Sequence, residues 1–318
     1  MRSYNIMCGL FAAVALALLA GAASAQITIA TVPVGNPGSP SEVDYTYNIG
    51  QYDVTSSQYT AFLNAVAAND TYGVYNSNMA GTTSGNPGII QSGSSGSFTY
   101  SVAAGRDNNP VTDVTFWDAC RFANWLDNGQ PTGAEGPGTT ETGTYTIPGI
   151  GGEPVPRNAN YTWAVTSLSE WVKAAYYTPL GDAGNNGTSN YWKYPTQSQT
   201  ISPTQANYYD SGINDTTPVG SYPYPSYYGT YDQAGNVWQW MDDPTLFPNI
   251  FYGCVLRGGA FDSSVSSLQA GGGTVPESTG FGSDEVGFRV SQVPEPASLG
   301  FLALAGTGML VRRRGVRR

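Results

Sequence analysis

Forty glycines are spread through 318 residues, and they interrupt the chain before any long regular element can form. Glycine gives up more backbone freedom on folding than any other residue and weakens helices and strands alike. Two stretches, 69–105 and 127–160, are so rich in Gly, Ser, Thr and Asn that they read as long surface loops. Charged residues are only 11% of the chain, too few for the solvated faces of a helical bundle, while tyrosine occurs 22 times. With 40% apolar residues there is material for a core. The expectation is a loop-rich, irregular body faced with aromatic rings.

Between the glycine-rich stretches, three segments carry helical spacing behind a capping residue. Tyr59, Phe62, Leu63 and Val66 share one helical face after Thr55 or Ser56. Trp117, Cys120, Arg121, Asn124 and Trp125 follow Thr115, with Asp118 three positions on. Ser167 to Tyr176 opens on Ser-Leu-Ser-Glu, which predicts a capping box closed by Glu170 and puts Trp171, Ala174 and Ala175 inward. Strands are expected over 27–34 and 45–52, and short strands and turns from Tyr191 onward. Residues 26–292 read as one domain.

Both ends differ from this body. Arg2, an apolar run from Gly9 to Leu19 and Ala23-Ser24-Ala25 form the pattern of a secretory signal peptide over residues 1–25; a membrane anchor is the alternative, for which the run is short. At the other end, Val293-Pro294-Glu295-Pro296 precedes an apolar span, Ser298 to Val311, and then Arg312, Arg313, Arg314, Arg317 and Arg318. Residues 293–318 resemble the PEP-CTERM sorting signal of Gram-negative bacteria. That resemblance implies export to the cell surface or extracellular matrix, transient inner-membrane anchoring, exosortase-type sorting machinery as partner and removal of the tail; a permanent short anchor is the alternative.

Between Gln26 and Gln292, 7 basic residues face 22 acidic ones, a net of −15. So acidic a body is not expected to bind nucleic acid, which needs clustered cations. Cys120 and Cys254 are the two cysteines outside the leader; they either pair as a disulfide or stay as two buried thiols. With no histidine, a Ser–His–Asp triad and an imidazole zinc site are excluded. The adjacent acids Asp242-Asp243 and Asp284-Glu285 are expected to be surface groups. The turn from Tyr231 to Trp240 offers hard oxygens for calcium: side chains of Asp232 and Gln239, carbonyls of Gly235 and Val237. Its other reading is a buried turn with Trp238 and Trp240 in the core.

In order, residues 52–63, 110–126, 166–177, 217–243, 256–261 (LRGGAF) and 287–290 (GFRV) resemble the formylglycine-generating enzyme (sulfatase-modifying factor) family, with GNVWQW, RGG and GFR the most specific pieces. The resemblance implies a C-type-lectin-like α+β fold with few short helices and strands. It implies structural calcium at Asp232, Gly235, Val237 and Gln239, where Gln239 stands for the usual glutamate, and a second calcium set at Asn207, the Tyr208 carbonyl and Asp215. Enzymes of the family oxidise a substrate cysteine to formylglycine with copper held by two cysteines after RGG. Here those positions are Ser263 and Leu268, and a serine just after RGG is Ala260. Copper is therefore not expected, and Cys120 and Cys254 match neither position. A basic residue the family carries before Glu170 and Trp171 is missing.

The loop Leu256–Gly273 then reads as the wall of a ligand groove, with Arg257, Ala260, Phe261, Ser263 and Trp240 as lining candidates. The leading expectation is an exported module that binds a glycan or peptide of the extracellular matrix. A divergent sulfatase-modifying enzyme or other oxidase on the same scaffold is the alternative, and a purely structural matrix component the third.

Overall fold

The protein is described here by a computed structural model covering residues 26–37, 43–81, 85–149, 152–179, 190–246 and 252–293. The leader over 1–25 and the tail from Pro294 onward lie outside the described residues. Among those described, no helix is long and apolar enough to cross a membrane.

The elements run β1 (Thr31–Val34), β2 (Tyr47–Gly50), α1 (Ser56–Val66), β3 (Ile89–Ser92), β4 (Thr99–Val102), α2 (Phe116–Asp127), β5 (Trp163–Val165), α3 (Leu168–Tyr176), β6 (Trp238–Leu246), β7 (Tyr252–Arg257), β8 (Val275–Ser278), β9 (Val286–Phe288) and β10 (Val290–Gln292). They form two four-stranded sheets, β1-β2-β10-β5 and β8-β7-β6-β9, and a hairpin, β3-β4. Because β9 and β10 are separated by Arg289 alone, one short segment joins the two sheets. β10 also pairs with β2, so the end of the body closes on its beginning.

Among the described residues, all three α-helices start at a capping box: those at Thr115 and Ser167 are the expected ones, and at the first helix Thr55 rather than Ser56 is the cap, with Gln58 closing a box. Thr55, Thr115 and Ser167 accept from the backbone of Gln58, Asp118 and Glu170, at 3.3, 3.2 and 3.2 Å. The three partner side chains return the bond to the cap N–H at 2.8–2.9 Å. Each box satisfies two of the donors that a helix start leaves open. The expected strand at 27–34 contracts to Thr31–Val34, and that at 45–52 to Tyr47–Gly50.

The stretch 69–105 is not all loop: it contains the β3–β4 hairpin. Asn64 of α1 holds it edge-on, donating to the Tyr100 carbonyl (2.8 Å) and accepting from its N–H (3.0 Å). That long-range clamp supplies what the glycine- and serine-rich flanks lack. The stretch 127–160 forms no helix or strand among its described residues beyond the end of α2.

The main core lies where α1 and α2 meet the strands. Tyr59, Phe62, Phe122, Trp125 and Phe288 interlock with ring centroids 5.2–6.3 Å apart, mostly edge-on or tilted. Such pairs contribute about 0.5–1.5 kcal/mol each beyond their buried area.

Candidate functional site

Parallel pairing of β6 with β9 places Gln239 opposite Gly287, and Arg289 follows two residues on. Arg289 is fully buried. Its guanidinium donates to the carbonyls of Gly50 (2.6 Å) and Tyr231 (2.7 Å), to Asp53 Oδ1 (3.0 Å) and to Gln239 Oε1 (3.2 Å). Gln239 Oε1 also accepts from Trp171 Nε1 at 2.6 Å, while its Nε2 donates to the Asp232 carbonyl at 3.1 Å. Two donors facing Oε1 fix the amide orientation, because the flipped amide would set N–H against N–H.

This arrangement does not fit calcium at the first expected set. The Gln239 oxygen faces a guanidinium, and a metal ion there would be repelled by it. Asp232 Oδ2 accepts from Gly220 N at 2.6 Å; burial pushes its carboxyl up to about 6. The Gly235 carbonyl accepts from the Val237 N–H (3.0 Å). Val237 is fully buried.

The second set is brought against the first by a parallel bridge between Asn207 and Gly235. Gly235 has φ +78°, and a Cβ there would lie 2.0 Å from the Asn207 carbonyl oxygen, so only glycine permits the contact. Asn236, buried and missed as a candidate, is the hub: its Oδ1 accepts from Asn207 Nδ2 (3.2 Å) and Thr217 N (2.8 Å). Asp215 is held by Arg106 at 2.5 Å, and the Tyr208 carbonyl accepts from Ser211 N at 2.8 Å. Internal donors thus occupy these oxygens as well. Among the described residues no group of three or more His, Cys, Asp or Glu is placed to hold a metal.

The loop after β7 converges on Gly259. A Cβ at that position would lie 2.9 Å from Leu268 Cδ1 and 3.3 Å from Ser263 Cβ, so positions 263 and 268 both border Gly259. Ser263 Oγ accepts from Ala260 N at 2.9 Å, closing a turn. Leu268 is fully buried, in a cluster with Tyr194, Ala206, Tyr208 and Ala234. Arg257 bonds the carbonyls of Ala270 and Gly272 and the Thr274 hydroxyl, and lies over the rings of Trp171 (5.5 Å) and Tyr176 (6.0 Å). Arg257 therefore staples its own loop.

Of the expected groove residues, Arg257, Ala260 and Trp240 are buried. Their burial follows from β6–β7 pairing and the tight turn. Phe261 does reach a cleft, of about 310 Å³ counted to its open mouth, together with Asn109, Thr112, Thr216, Asp284 and the Arg106–Asp215 pair.

Cys120 and Cys254 are free, buried thiols in the main core, so the disulfide alternative is not the one formed. Burial raises both above the ordinary thiol value, and each stays protonated. Leu268 belongs to a different cluster, so no thiol comes to the loop.

A family model, the sulfatase-modifying factor enzyme 1-like domain, matches residues 16–293. The chain belongs to this family. A formylglycine-generating enzyme of Streptomyces coelicolor is 27% identical over 172 residues, 49% of this chain and 43% of that one. A protein named serine/threonine-protein kinase pkn1, of Chlamydia caviae, is 30% identical over 142 residues, 45% of this chain and 15% of that one. The chain thus spans less than half the length of these curated relatives. Among solved structures, CarF aligns at TM-score 0.53 and 22% identity, covering 84% of this chain and 99% of its own. That likeness shows the fold: mixed α+β, with few helices and many short strands.

Within this sulfatase-modifying-factor domain, the missing basic partner of Glu170 is supplied from elsewhere. Arg157, in the preceding loop, donates to Glu170 Oε2 (2.9 Å) and to Asp242 Oδ2 (2.5 Å). Burial works against the Glu170 charge, yet Arg157 prevails and holds the carboxyl below its usual value. Of the seven cations in the body, Arg106, Arg121, Arg157 and Arg289 pair with acids. Asp242 and Asp243 are accordingly structural, Asp243 accepting from Leu168 N at the start of α3. Asp284 and Glu285 instead join Asp262 and Asp113. Burial and neighbouring acids push Glu285 to about 7 and Asp113 to about 6.

Proposed function

We propose that this chain is a binding module of the cell exterior, a member of its family that keeps the scaffold and has given up the oxidase chemistry. The observation that carries the reading is the fate of positions 263 and 268. One is a hydroxyl closing a turn on Ala260, and the other is a leucine sealed among Tyr194, Tyr208 and Ala234. Copper(I) needs soft ligands, and this pocket offers none. What stays open is the cleft at Phe261, an apolar ring set among amide and hydroxyl groups, the Arg106–Asp215 pair and Asp284. Such a lining suits an extended glycan or peptide. The pattern of residues 1–25 and 293–318 supports export, exosortase-type sorting and transient anchoring in the inner membrane of a Gram-negative-type bacterium.

The test is to incubate the purified full chain, in air and with added copper, with a cysteine-bearing sulfatase-type peptide, and to read formylglycine by mass spectrometry. No conversion above a protein-free control is expected, together with saturable binding in a glycan and peptide screen that Phe261→Ala weakens. Formylglycine formation by the chain, absent in Ser263→Ala, would restore the oxidase reading.

A further inference from the structure

A second opening lies between the tyrosine-rich segment from Tyr222 and the turn at Pro195 and Thr196. It shares no lining residue with the Phe261 cleft. Tyr222, Tyr224, Asp232, Thr196 and Gln205 line it, around about 280 Å³ counted to the mouth. That figure includes the open mouth, so a ligand would seat one edge in the notch and lie across its rim.

Four features of its lining ask for a polyhydroxylated partner. The Thr196 hydroxyl is buried and has no hydrogen-bond partner among the described residues, a state a native structure tolerates when something else fills the bond. Asp232 spends one carboxylate oxygen on Gly220 N at 2.6 Å, which aims the group; its other oxygen accepts no bond among the described residues. Gln205 is held through its Oε1 by Ser202, leaving its Nε2 donors for a ligand. Tyr224 is 41% exposed, and Pro223 and Pro225 on either side fix the backbone that carries it. A carboxylate acceptor, an amide donor, a hydroxyl that does both and a tyrosine face match the edges and the flat C–H face of a sugar ring. The net charge of −15 turns away acidic sugars.

The geometry points to this notch as a binding site for a single neutral pyranose unit, free or at the end of a glycan. It is separate from the cleft proposed above, and neither reading needs the other.

The test is ligand-observed NMR and calorimetry on the purified full chain with the methyl glycosides of glucose, galactose, mannose and N-acetylglucosamine, and with glucuronic acid as the anionic control. At least one neutral glycoside should bind saturably, and the acid should not. Asp232→Asn and Tyr224→Ala should each weaken that binding about tenfold, the loss of one charge-assisted bond or one ring face. Phe261→Ala should leave it unchanged. Thr196→Val separates a ligand role from a folding role: it removes a buried unbonded hydroxyl at constant shape, so the melting temperature should hold or rise while sugar binding falls. No binding to any neutral glycoside overturns the proposal. So does binding that survives both Tyr224→Ala and Asp232→Asn in folded protein, or binding lost in Phe261→Ala alone.

Discussion

The loop after Arg257 and the tyrosine segment from Tyr222 to Asp232 are both irregular, both rich in small or hydroxylated residues, and lie on either side of the same turn at Gly235. They differ in where their polar groups point. In the first, Ser263, Arg257 and Leu268 turn inward: a hydroxyl closes a turn, a guanidinium binds its own loop's carbonyls, and an alkyl chain fills a core. In the second, tyrosine rings, a carboxylate oxygen and a neighbouring threonine hydroxyl stay open. Irregular backbone is thus no guide to where binding occurs. What separates the two loops is whether internal partners use up their hydrogen-bonding groups.

The sharpest way to break the comparison is to attack the frame that seals the inner side. Arg289→Leu leaves Asp53 buried without its cation and frees two carbonyls and Gln239. Removing one partner of a buried pair costs about 3–5 kcal/mol, and urea unfolding followed by tryptophan fluorescence should show a midpoint lowered to match. A loss under about 1 kcal/mol would mean that the Asp53–Arg289 pair does not hold β9, β10 and β2 together. Leu268→Ala should cost about 2–5 kcal/mol, as for other buried leucines. On the open side, Tyr224→Ala should change stability by no more than about 0.5 kcal/mol. If the two substitutions cost the same, the sealed and open descriptions are wrong.

The pH dependence of stability sharpens the same contrast, because acids sealed inside carry raised carboxyls. Burial first of all pushes Asp113, Asp118, Asp232 and Asp242 to about 6, Glu135 and Glu285 to about 7, and Asp53, against the pull of Arg289, to about 8. Each binds its proton more tightly folded than unfolded. Their contribution is therefore fully present below about pH 4, the unfolded carboxyl range, and is lost as pH rises through 6 to 8. Melting curves should place the midpoint higher at pH 5 than at pH 8. A higher midpoint at pH 8 would show that the ion pairs of Arg157 and Arg289 outweigh the buried acids.

Local chemistry was legible in the sequence and long-range partnership was not. Thr115 and Ser167 announced two helix starts because a capping box spans four residues, and the first start was legible as Thr55 or Ser56. The GNVWQW and RGG pieces announced the family because they pack in one short stretch. By contrast, the β3–β4 hairpin depends on Asn64, and the charge on Glu170 depends on Arg157. Neither partner sits in a pattern with the group it serves. Trp240, Ala260 and Arg257 are buried for the same reason: β6–β7 pairing and the turn after it, not their own spacing, pack them inside. Gln239 was read by its oxygen alone; whether that oxygen faces metal or a guanidinium depends on Arg289, fifty residues away.

A smaller effect is expected from Ser263→Ala. It removes one side-chain bond to Ala260 N in a turn that Ser263 N to Ala260 O (3.0 Å) still closes. The loss should be about 0.5–1.5 kcal/mol, with ligand affinity unchanged. A large fall in turnover of any substrate without loss of folding would instead make Ser263 a working group.

The smallest effect expected is that of calcium. An ion that binds only the folded chain raises stability by RT ln(1 + [Ca]/Kd), about 2.7 kcal/mol at a hundredfold excess over Kd. In this fold the Gln239 oxygen accepts from Trp171 and Arg289, and Asp215 is committed to Arg106, so the term should be near zero. Adding a chelator to the full chain should therefore move the melting midpoint by less than about 1 °C, and restoring calcium should change nothing. The paired variant is Gln239→Glu. Its carboxylate would strengthen the bond to Arg289 rather than create a calcium site, so it too should ignore the chelator. A fall of several degrees that calcium reverses and magnesium does not would mean that the amide turns away from Arg289 in solution. The inner turn would then be a metal site held open at Arg289's expense.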